Sequence, residues 1–381
     1  MKLVIQGLEN EEWEKIKDLY ADCTVIEDHG TIHPCTGCFS CWNKTPGKCV
    51  IRDGYETMGQ QIHHADEVIV LSRYVYGGFS GFVKNVFDRS LGYVLPHLMV
   101  VHNESHHRKR YPEEKAFSFV FCGQNLSEEE KQSAKNYVRA VCANIRGYVK
   151  RIEFRDDSAF VREKKTCGLP ENEKVMVLNA SARFEKGNTA KLTGELLKGM
   201  NKEAEIVPLM KHMGHPEELL EKLQSVSDLV LAMPLYVDGL PSQLIRFLEQ
   251  TERMYEGSGK RVYVLANMGL YESRQLESLF SAVRQWCSHM NFDYCGGLGV
   301  SAGELIGGVM ELVPFGIGPT KRASLGIEAL RAAIEAGQPA GEILAEPWKF
   351  PRSLYLYIAN TSWNRGARKN GMKPKDLYRK L

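Results

Sequence analysis

Short, mainly apolar runs recur along the chain and are separated by longer stretches of mixed polar and apolar residues. The runs lie at residues 3–6, 23–27, 67–72, 116–122 and 147–154, and again at 175–179, 204–209, 228–233, 261–267 and 293–300. Such runs predict β-strands, and the stretches between them predict helices. Because apolar strands that alternate with helices form parallel sheets covered on both faces, we expect an α/β fold with two doubly wound domains, each containing a five-stranded parallel sheet.

The order of elements repeats once along the chain. Residues 74–89 (YVYGGFSGFVKNVFDR) align with residues 235–250 (LYVDGLPSQLIRFLEQ), and this alignment pairs Gly78 with Gly239. The repeat indicates a tandem duplication, with the ordinary likeness between any two βα units as the alternative. The polar segment 155–174 predicts a linker. We therefore expect domains at residues 1–170 and 171–381, the second ending in a helical extension.

The charge and composition exclude several classes of protein. The 49 Lys and Arg residues face 47 Asp and Glu residues, a balance that gives no electrostatic case for binding nucleic acid. No apolar run approaches the roughly 20 residues of a membrane-spanning helix, and the first residues become acidic too early for a secretory signal. We expect a cytoplasmic protein, whose ten cysteines would be reduced and available for a metal or for redox chemistry.

The segment after the strand at 175–179 indicates an anion site. Free amides at the start of a helix attract anions, short polar side chains add donors, and glycine permits a close backbone approach. The alternative is an ordinary capped helix, since Asn and Thr are good caps. The candidate phosphate ligands are Ser181, Arg183, Gly187, Asn188 and Thr189.

The corresponding loop of the first half is acidic. Glu9, Glu11 and Glu12 crowd the start of its helix, where they satisfy the helix dipole and would repel a phosphate. We expect a degenerate phosphate loop in this half, with the use of a different loop as the alternative.

Two further loops follow strands of the second half, at the edge where open α/β sheets bind ligands. Backbone groups of the first loop could face a planar ring with Tyr236 at one side, and the second loop could contact the other edge of that ring. The residues expected to line the ligand are Pro234, Leu235, Tyr236, Val237, Asp238 and Gly239, followed by Asn267, Met268 and Gly269.

Four cysteines of the first half are close enough in sequence to converge on one centre. Their spacing is Cys35-x2-Cys38-x2-Cys41-x7-Cys49. Short C-x2-C-x2-C runs are a signature of iron–sulfur clusters, whereas zinc sites more often combine two separated pairs of ligands. Three interpretations stay open: a 4Fe–4S cluster, a zinc ion, and unliganded thiols in a tight loop.

Two polar segments are assigned no site. The stretch that contains His102, His106 and His107 predicts a solvated connection before the fourth strand, with contact to the phosphates of a nicotinamide dinucleotide as the alternative. The basic stretch 354–381 predicts a helix that docks on the domains, with contact of this segment with a membrane surface as the alternative.

The second half resembles the flavodoxin-like NAD(P)H-dependent FMN reductases. The resemblance rests on NASARFEKGNT (179–189) and PLYVDGLPSQLIRFLEQ (234–250), and it covers about residues 174–300. In that family the first motif binds the flavin phosphate and the second contacts the isoalloxazine ring. The sequence departs from the family's usual Gly-Ser-Pro-Arg opening, because Ala180, Ser181, Ala182 and Arg183 follow Asn179 here.

The first half resembles the iron–sulfur flavoproteins through its cysteine motif and through VLSRYVYGGFSGFVKNVFDRS (70–90). Together the resemblances imply two flavodoxin-like domains that form an intramolecular pseudo-dimer, with the option of further homo-oligomers. They imply an oxidoreductase that binds FMN in its second half, takes electrons from NAD(P)H or a reduced carrier, and passes them to a quinone, flavin or protein acceptor. A 4Fe–4S cluster of the first half would exchange electrons with the flavin. The alternative is a non-catalytic flavin-binding carrier or redox sensor, and no side chain is identified as catalytic.

Overall fold

The computed structural model describes residues 1–156, 168 and 173–380, so most of the expected linker and the expected boundary near residue 170 lie outside the described residues. The chain divides into two compact units. The first comprises Met1–Val161 and Leu356–Leu381, and the second comprises Arg162–Tyr355. The segment Leu356–Leu381, which the sequence assigned to the second domain, thus groups with the first unit.

The first unit is built around a five-stranded parallel sheet. Its strands, including those of a separate hairpin, are β1 (Lys2–Gly7), β2 (Thr24–Ile26), β3 (Glu67–Arg73), β4 (Val94–Val101), β5 (Glu104–Lys109), β6 (Ala116–Cys122) and β7 (Tyr148–Arg155). The sheet has the order β2-β1-β3-β6-β7. Counted along the chain this is 2-1-3-4-5, the flavodoxin-like order, and the winding direction reverses between β1 and β3.

The helices of the first unit cover both faces of this sheet. They are α1 (Asn10–Ile16), α2 (Ser40–Asn43), α3 (Met58–His64), α4 (Gly81–Arg89) and α5 (Glu128–Asn144). Every residue of α4 is buried, including the polar Lys84, Asn85, Asp88 and Arg89. A buried polar helix face needs partners nearby, and the loop that carries the four cysteines supplies several of them.

The segment around His106 and His107 is a β-hairpin, so the expectation of a solvated connection was wrong there. Strands β4 and β5 pair in antiparallel fashion, with Leu98 opposite His107 and Met99 opposite His106. His106 is only 3% exposed. The sequence did not indicate this hairpin because β5 (ESHHRK) has no apolar residue that would mark a strand.

The second unit contains a six-stranded parallel sheet. Its strands are β8 (Val175–Asn179), β9 (Ala204–Pro208), β10 (Asp228–Pro234), β11 (Arg261–Asn267), β12 (Asp293–Val300) and β13 (Gly341–Ala345). Their order is β9-β8-β10-β11-β12-β13, which is the flavodoxin-like order with one strand added at the edge. The predicted α/β class with two doubly wound sheets is confirmed. The first five strands follow one order in both units, although the tandem duplication itself stays a prediction.

Two glycines of β12 allow a close approach to its two neighbouring strands, β13 and β11. A Cβ atom at Gly296 would lie 2.2 Å from the carbonyl oxygen of Gly341 in β13, and one at Gly297 would lie 2.0 Å from that of Val264 in β11. Both glycines have positive φ angles, 78° and 157°. Only residues without a side chain allow the backbones to meet this closely.

The remaining helices are α6 (Asn188–Leu197), α7 (Pro216–Gln224), α8 (Ser242–Met254), α9 (Glu277–Met290), α10 (Gly303–Val309), α11 (Lys321–Ala336) and α12 (Arg352–Lys369). Helices α6 and α11 pack on one face of the second sheet through Leu192, Leu196, Ile327 and Leu330. No helix among the described residues is both long enough and apolar enough to cross a membrane.

Candidate functional site

The loop after β8 folds back on itself and brings Ser181 to the start of α6. The Ser181 amide donates to Asn179 Oδ1 at 2.9 Å, and the Arg183 amide donates to Ser181 Oγ at 3.3 Å. A Cβ atom at Gly187 would lie 3.3 Å from the same Ser181 oxygen. Ser181 is buried, whereas Arg183 is exposed.

No acidic side chain in the first turn of α6 competes with a ligand for the N-terminus of the helix. Gly187 is its N-cap, no side chain caps it, and no acidic residue lies in its first turn. Thr189 is buried in that turn, and Asn188 lies against α10, since a Cβ atom at Gly307 would come within 2.0 Å of Asn188 Oδ1. The positive end of the helix dipole is therefore available to an anion.

The loop after β10 forms a tight, strained turn. Tyr236 and Gly239 exchange backbone hydrogen bonds of 3.1 and 3.0 Å. The two residues between them, Val237 and Asp238, have φ angles of 39° and 57°, a left-handed conformation that costs most for a β-branched residue such as Val237. Strain of this kind is concentrated at functional sites.

The loop after β11 is bonded to both of the other loops. Asn267 Nδ2 donates to Thr189 Oγ1 at 2.7 Å, and the Leu235 amide, next to the half-buried Pro234, donates to the Asn267 carbonyl oxygen at 2.8 Å. Met268 is buried and Gly269 is exposed. The sheet places β8, β10 and β11 side by side, so all three predicted loops meet at one carboxyl edge.

Two buried polar atoms near these loops have no hydrogen-bond partner among the described residues. They are Nδ2 of Asn179, at the end of β8, and Oε1 of Gln243 in α8, whose Nε2 donates to the Ala180 carbonyl at 2.9 Å. Leaving a buried polar atom unpaired costs about 1–3 kcal/mol, which a bound polar ligand would recover. Neither residue was predicted from the sequence. The polar Asn179 at the end of the apolar strand VMVLN could have indicated a site residue, but nothing in the sequence around Gln243 did so.

The equivalent edge of the first unit holds an ion pair. Glu9 is the N-cap of α1, and Glu11 and Glu12 lie in its first turn. The Glu9 carboxylate lies 3.2 Å from Arg73 Nε at the end of β3. An acidic side chain of this loop therefore pairs with a cation of its own unit. The corresponding loop of the second unit carries Ser181 and Gly187 instead.

The four cysteines of the first unit line one pocket. Cys35, Cys38, Cys41 and Cys49 share it with Asp88, Arg89 and Leu91 from the C-terminal end of α4 and the turn beyond. Cys38 is exposed, and the other three are half-buried. The pocket lies at the opposite end of α4 from the loop 74–80.

The cysteine thiols of this pocket differ in pKa because their surroundings differ. Burial is the main reason that the pKa of Cys35 rises to about 12, and burial and the neighbouring thiols raise the pKa of Cys41 well above its usual value. Burial also opposes ionisation of Cys38, but hydrogen bonds from Ser40 and Thr36 outweigh it and lower the pKa. Without a bound cation, Cys35 and Cys41 are therefore neutral thiols, and Cys38 is the more nucleophilic one.

A buried ion pair holds the cysteine loop to α4. Arg89 donates to both carboxylate oxygens of Asp53, at 2.7 and 3.0 Å, to the carbonyl oxygen of His33 at 2.8 Å, and to Cys49 Sγ at 3.2 Å. Desolvation opposes ionisation of Asp53, yet the hydrogen bonds from Arg89 and from the amides of His33 and Tyr55 lower its pKa to about 2.

Asp53 makes the stability of the first unit sensitive to acid. Its pKa of about 2 lies below the usual 3.8, so its stabilising contribution is complete above about pH 4 and is lost as the pH falls towards 2. We expect the urea midpoint of the first unit to fall between about pH 5 and pH 2. Asp53→Asn should flatten this dependence, and parallel curves for variant and wild type would contradict the assignment.

The four thiols line one pocket, but they do not form the ligand set of a single ion in the part of the chain that the structure describes. Among the described residues, no group of three or more His, Cys, Asp or Glu side chains is arranged to hold a metal ion. A tetrahedral zinc ion needs four sulfurs about 2.3 Å from one point. A 4Fe–4S cluster instead binds each cysteine at a different iron atom, so its ligands stand further apart around a shared cavity.

Trp363 of the C-terminal segment packs on two aromatic side chains of the cysteine loop. Phe39, which has a φ angle of 56°, stacks on Trp42 with ring centroids 5.4 Å apart. Trp363 of α12 contacts Phe39 at 5.5 Å and Trp42 at 5.3 Å, edge to face in both cases. The sequence predicted that this segment docks, but not that it contacts the cysteine loop.

Two polar contacts fix the same segment on the first unit. The side chain of Asn360 forms hydrogen bonds of 2.7 and 3.0 Å with the backbone N–H and C=O of Leu98 in β4. Arg110 donates to the carbonyl oxygens of Leu377 and Arg379 at 2.8 and 2.7 Å. The C-terminal segment is therefore held on the first unit by hydrogen bonds before and after Trp363 in the sequence.

Comparison with known proteins gives matches only at the level of solved structures. No family model matches the sequence, and no curated protein matches it. The Trp repressor binding protein from Bacillus subtilis is 20% identical over 33% of this chain and 81% of its own, with a TM-score of 0.28. An azoreductase from Bacillus anthracis is 14% identical over 43% and 99% of the two chains, with a TM-score of 0.30. A flavone reductase is 13% identical over 44% and 65%, also with a TM-score of 0.30. Similarity this low carries no argument about activity.

Proposed function

We propose that the second unit binds FMN at the carboxyl edge of β8, β10 and β11, and that the protein is a flavin-dependent oxidoreductase. The observation that carries this proposal is the pair of hydrogen bonds from Asn267 Nδ2 to Thr189 and from the Leu235 amide to Asn267, which joins the three loops into one site. The site lies beside the point where the winding direction of the sheet reverses, between β8 and β10, where doubly wound sheets bind ligands.

Each loop has a separate part in holding the cofactor. Ser181, Arg183, Gly187, Asn188 and Thr189 would hold the phosphate with the amides of α6. The strained turn from Pro234 to Gly239 would face one side of the isoalloxazine ring, and Asn267, Met268 and Gly269 would approach its other edge. When bound, FMN supplies the hydride and single-electron chemistry. The chain's own contribution is to position the ring and to restrict its access to water.

The proposed reaction transfers electrons from NAD(P)H, or from a reduced carrier, to a quinone, a flavin or a protein acceptor. The competing proposal is a flavin-binding carrier or sensor without turnover. Oxidation of NADH or NADPH by the FMN-loaded protein with a quinone or ferricyanide separates the two. Multiple turnovers favour the enzyme, and stoichiometric reduction without turnover favours the carrier or sensor.

A comparison of FMN with riboflavin tests the phosphate site. We expect wild-type protein to bind FMN at least tenfold more tightly than riboflavin, because hydrogen bonds to charged groups contribute about 1.5–3 kcal/mol each. Ser181→Ala should weaken FMN binding about tenfold and leave riboflavin binding unchanged. Quenching of flavin fluorescence measures both affinities.

The control for this test is Gly194→Ala in the same helix. A Cβ atom at Gly194 meets nothing within 4 Å, so this variant should bind both flavins as wild type does. Equal affinities of wild-type protein for FMN and riboflavin would refute the phosphate site. Binding of neither flavin would refute the proposal as a whole.

We also propose a 4Fe–4S cluster on Cys35, Cys38, Cys41 and Cys49 of the first unit. The support is the convergence of the four thiols on one pocket with a buried Arg89 that donates to the Cys49 sulfur, since hydrogen bonds to cluster sulfurs adjust the reduction potential. Anaerobic purification followed by iron and sulfide assays should give about four of each per chain. Zinc in place of iron, or no metal, would refute the cluster and leave the FMN proposal intact.

A further inference from the structure

An apolar loop projects from the surface of the second unit, between α10 and α11. In this loop Leu312 is 83% exposed, Ile317 is 55% exposed and Val313 is 38% exposed. Leu325, in the second turn of α11, is also 55% exposed. Single exposed apolar residues are common on protein surfaces, but four of them in one short segment indicate an interaction surface.

The loop is held in a defined conformation. The Leu312 amide donates to the Val309 carbonyl oxygen at 2.9 Å, and the Gly316 amide donates to Thr320 Oγ1 at 2.9 Å. Phe315 packs against the hydrophobic core of the unit. Apolar side chains on one side of the loop therefore anchor it, while those on the other side face solvent.

Three cations surround a tryptophan next to this loop. Lys321 Nζ, the Arg322 guanidinium and Lys349 Nζ lie 5.6, 5.1 and 5.7 Å from the ring centroid of Trp348. The Trp348 amide donates to the Pro319 carbonyl oxygen at 3.1 Å. This bond joins the group of cations to the end of the apolar loop.

The three cations of this group are exposed to solvent. Lys321, Arg322 and Lys349 form no ion pair with an acidic side chain in the part of the chain that the structure describes. Of the carboxylates around this surface, Glu311 pairs with Lys191 at 2.5 Å, whereas Glu346 and Glu328 accept from the neutral Ser273 and Ser324. The three cations can therefore approach an anionic partner without breaking an ion pair.

We propose that this apolar–basic surface, formed by Leu312, Val313, Ile317, Leu325, Lys321, Arg322 and Lys349, docks the protein on anionic phospholipid bilayers. Exposed apolar side chains need no complementary cavity when they enter the fluid boundary between headgroups and acyl chains. The unpaired cations would then reach the lipid phosphates. Apolar contact and charge thus act on the same partner, and the docking requires neither a spanning helix nor a bound flavin.

Co-sedimentation of the full chain with vesicles tests the proposal. We expect binding to vesicles of phosphatidylcholine mixed with phosphatidylglycerol, and much weaker binding to phosphatidylcholine alone. Each cation contributes roughly fivefold to the partition coefficient, so Lys321→Gln with Arg322→Gln should lower it roughly 25-fold. Leu312→Ser with Ile317→Ser should abolish binding. The control is Leu19→Ser, because Leu19 of the first unit is 73% exposed and lies outside this surface.

The outcomes separate a bilayer from other partners. Loss of binding in both double variants, with full binding by Leu19→Ser, would support the proposal. Failure of wild-type protein to sediment with the anionic vesicles, or undiminished binding by Leu312→Ser with Ile317→Ser, would overturn it. A self-association seen by analytical ultracentrifugation and removed by that double variant, without vesicle binding, would assign the surface to a second copy of the chain.

Discussion

Asp53→Asn is expected to lower the unfolding free energy of the first unit by about 3 kcal/mol, because removing one member of a buried ion pair leaves the other charge uncompensated. The side chains of Arg89 and Asp53 are 0% and 4% exposed. Asp53 also accepts hydrogen bonds from the amides of His33 and Tyr55. This substitution therefore weakens two features: the contact of α4 with the cysteine loop, and the hydrogen bonds within that loop.

Urea denaturation measures this effect, with intrinsic tryptophan fluorescence to follow unfolding. The matched control is Asp66→Asn, because Asp66 pairs with the N-terminal amine at the surface, where both groups are largely exposed. Exposed pairs contribute about 0–1 kcal/mol. If Asp53→Asn costs no more than Asp66→Asn, the pair with Arg89 is not the constraint that holds the loop.

Trp363→Ala is expected to release the cysteine loop without unfolding the unit. The indole packs on Phe39 and Trp42, and Phe39 holds a left-handed backbone conformation between Cys38 and Ser40. Removing a packed aromatic side chain costs up to about 3–5 kcal/mol when it is fully buried, and less for the half-buried Trp363. Without the stacking partner, the strained turn at Phe39 loses part of its support.

The rate at which iodoacetamide alkylates each cysteine of the metal-free protein reports on this release. In wild type we expect Cys38 to react first and Cys35 and Cys41 slowly. In Trp363→Ala the rate at Cys41 should rise at least tenfold. Tyr357→Ala is the control on the same helix, since Tyr357 is 69% exposed. Equal alkylation rates in the two variants would show that Trp363 does not protect the loop.

The regular elements that line the sheets could be predicted from local sequence. The bounds of β6, β8, β11 and β12 agree with the predicted runs to the residue, because apolar strands between polar turns give a strong local signal. Strand β13 (GEILA) was not predicted. It is short, begins with glycine and lies at the sheet edge, so its apolar signal is weak.

Candidate site residues could be predicted only where they lie close together in the sequence. The cysteine spacing and the loop Ser181–Thr189 are local motifs, and the four cysteines line one pocket. The contact of Arg89 with Asp53 and the cover by Trp363 join residues far apart in the sequence. Nothing in the local pattern around Trp363 indicates Trp42 as its neighbour, since only the tertiary fold brings them together.

The position of Trp363 near the end of the chain also sets an order of events during synthesis. The cysteine loop leaves the ribosome early, but the helix that covers it follows more than three hundred residues later. At about 5–20 residues per second this delay lasts on the order of tens of seconds. During that interval the nascent chain presents its cysteines without Trp363, which gives a period in which metal ions and oxidants in solution can reach the thiols.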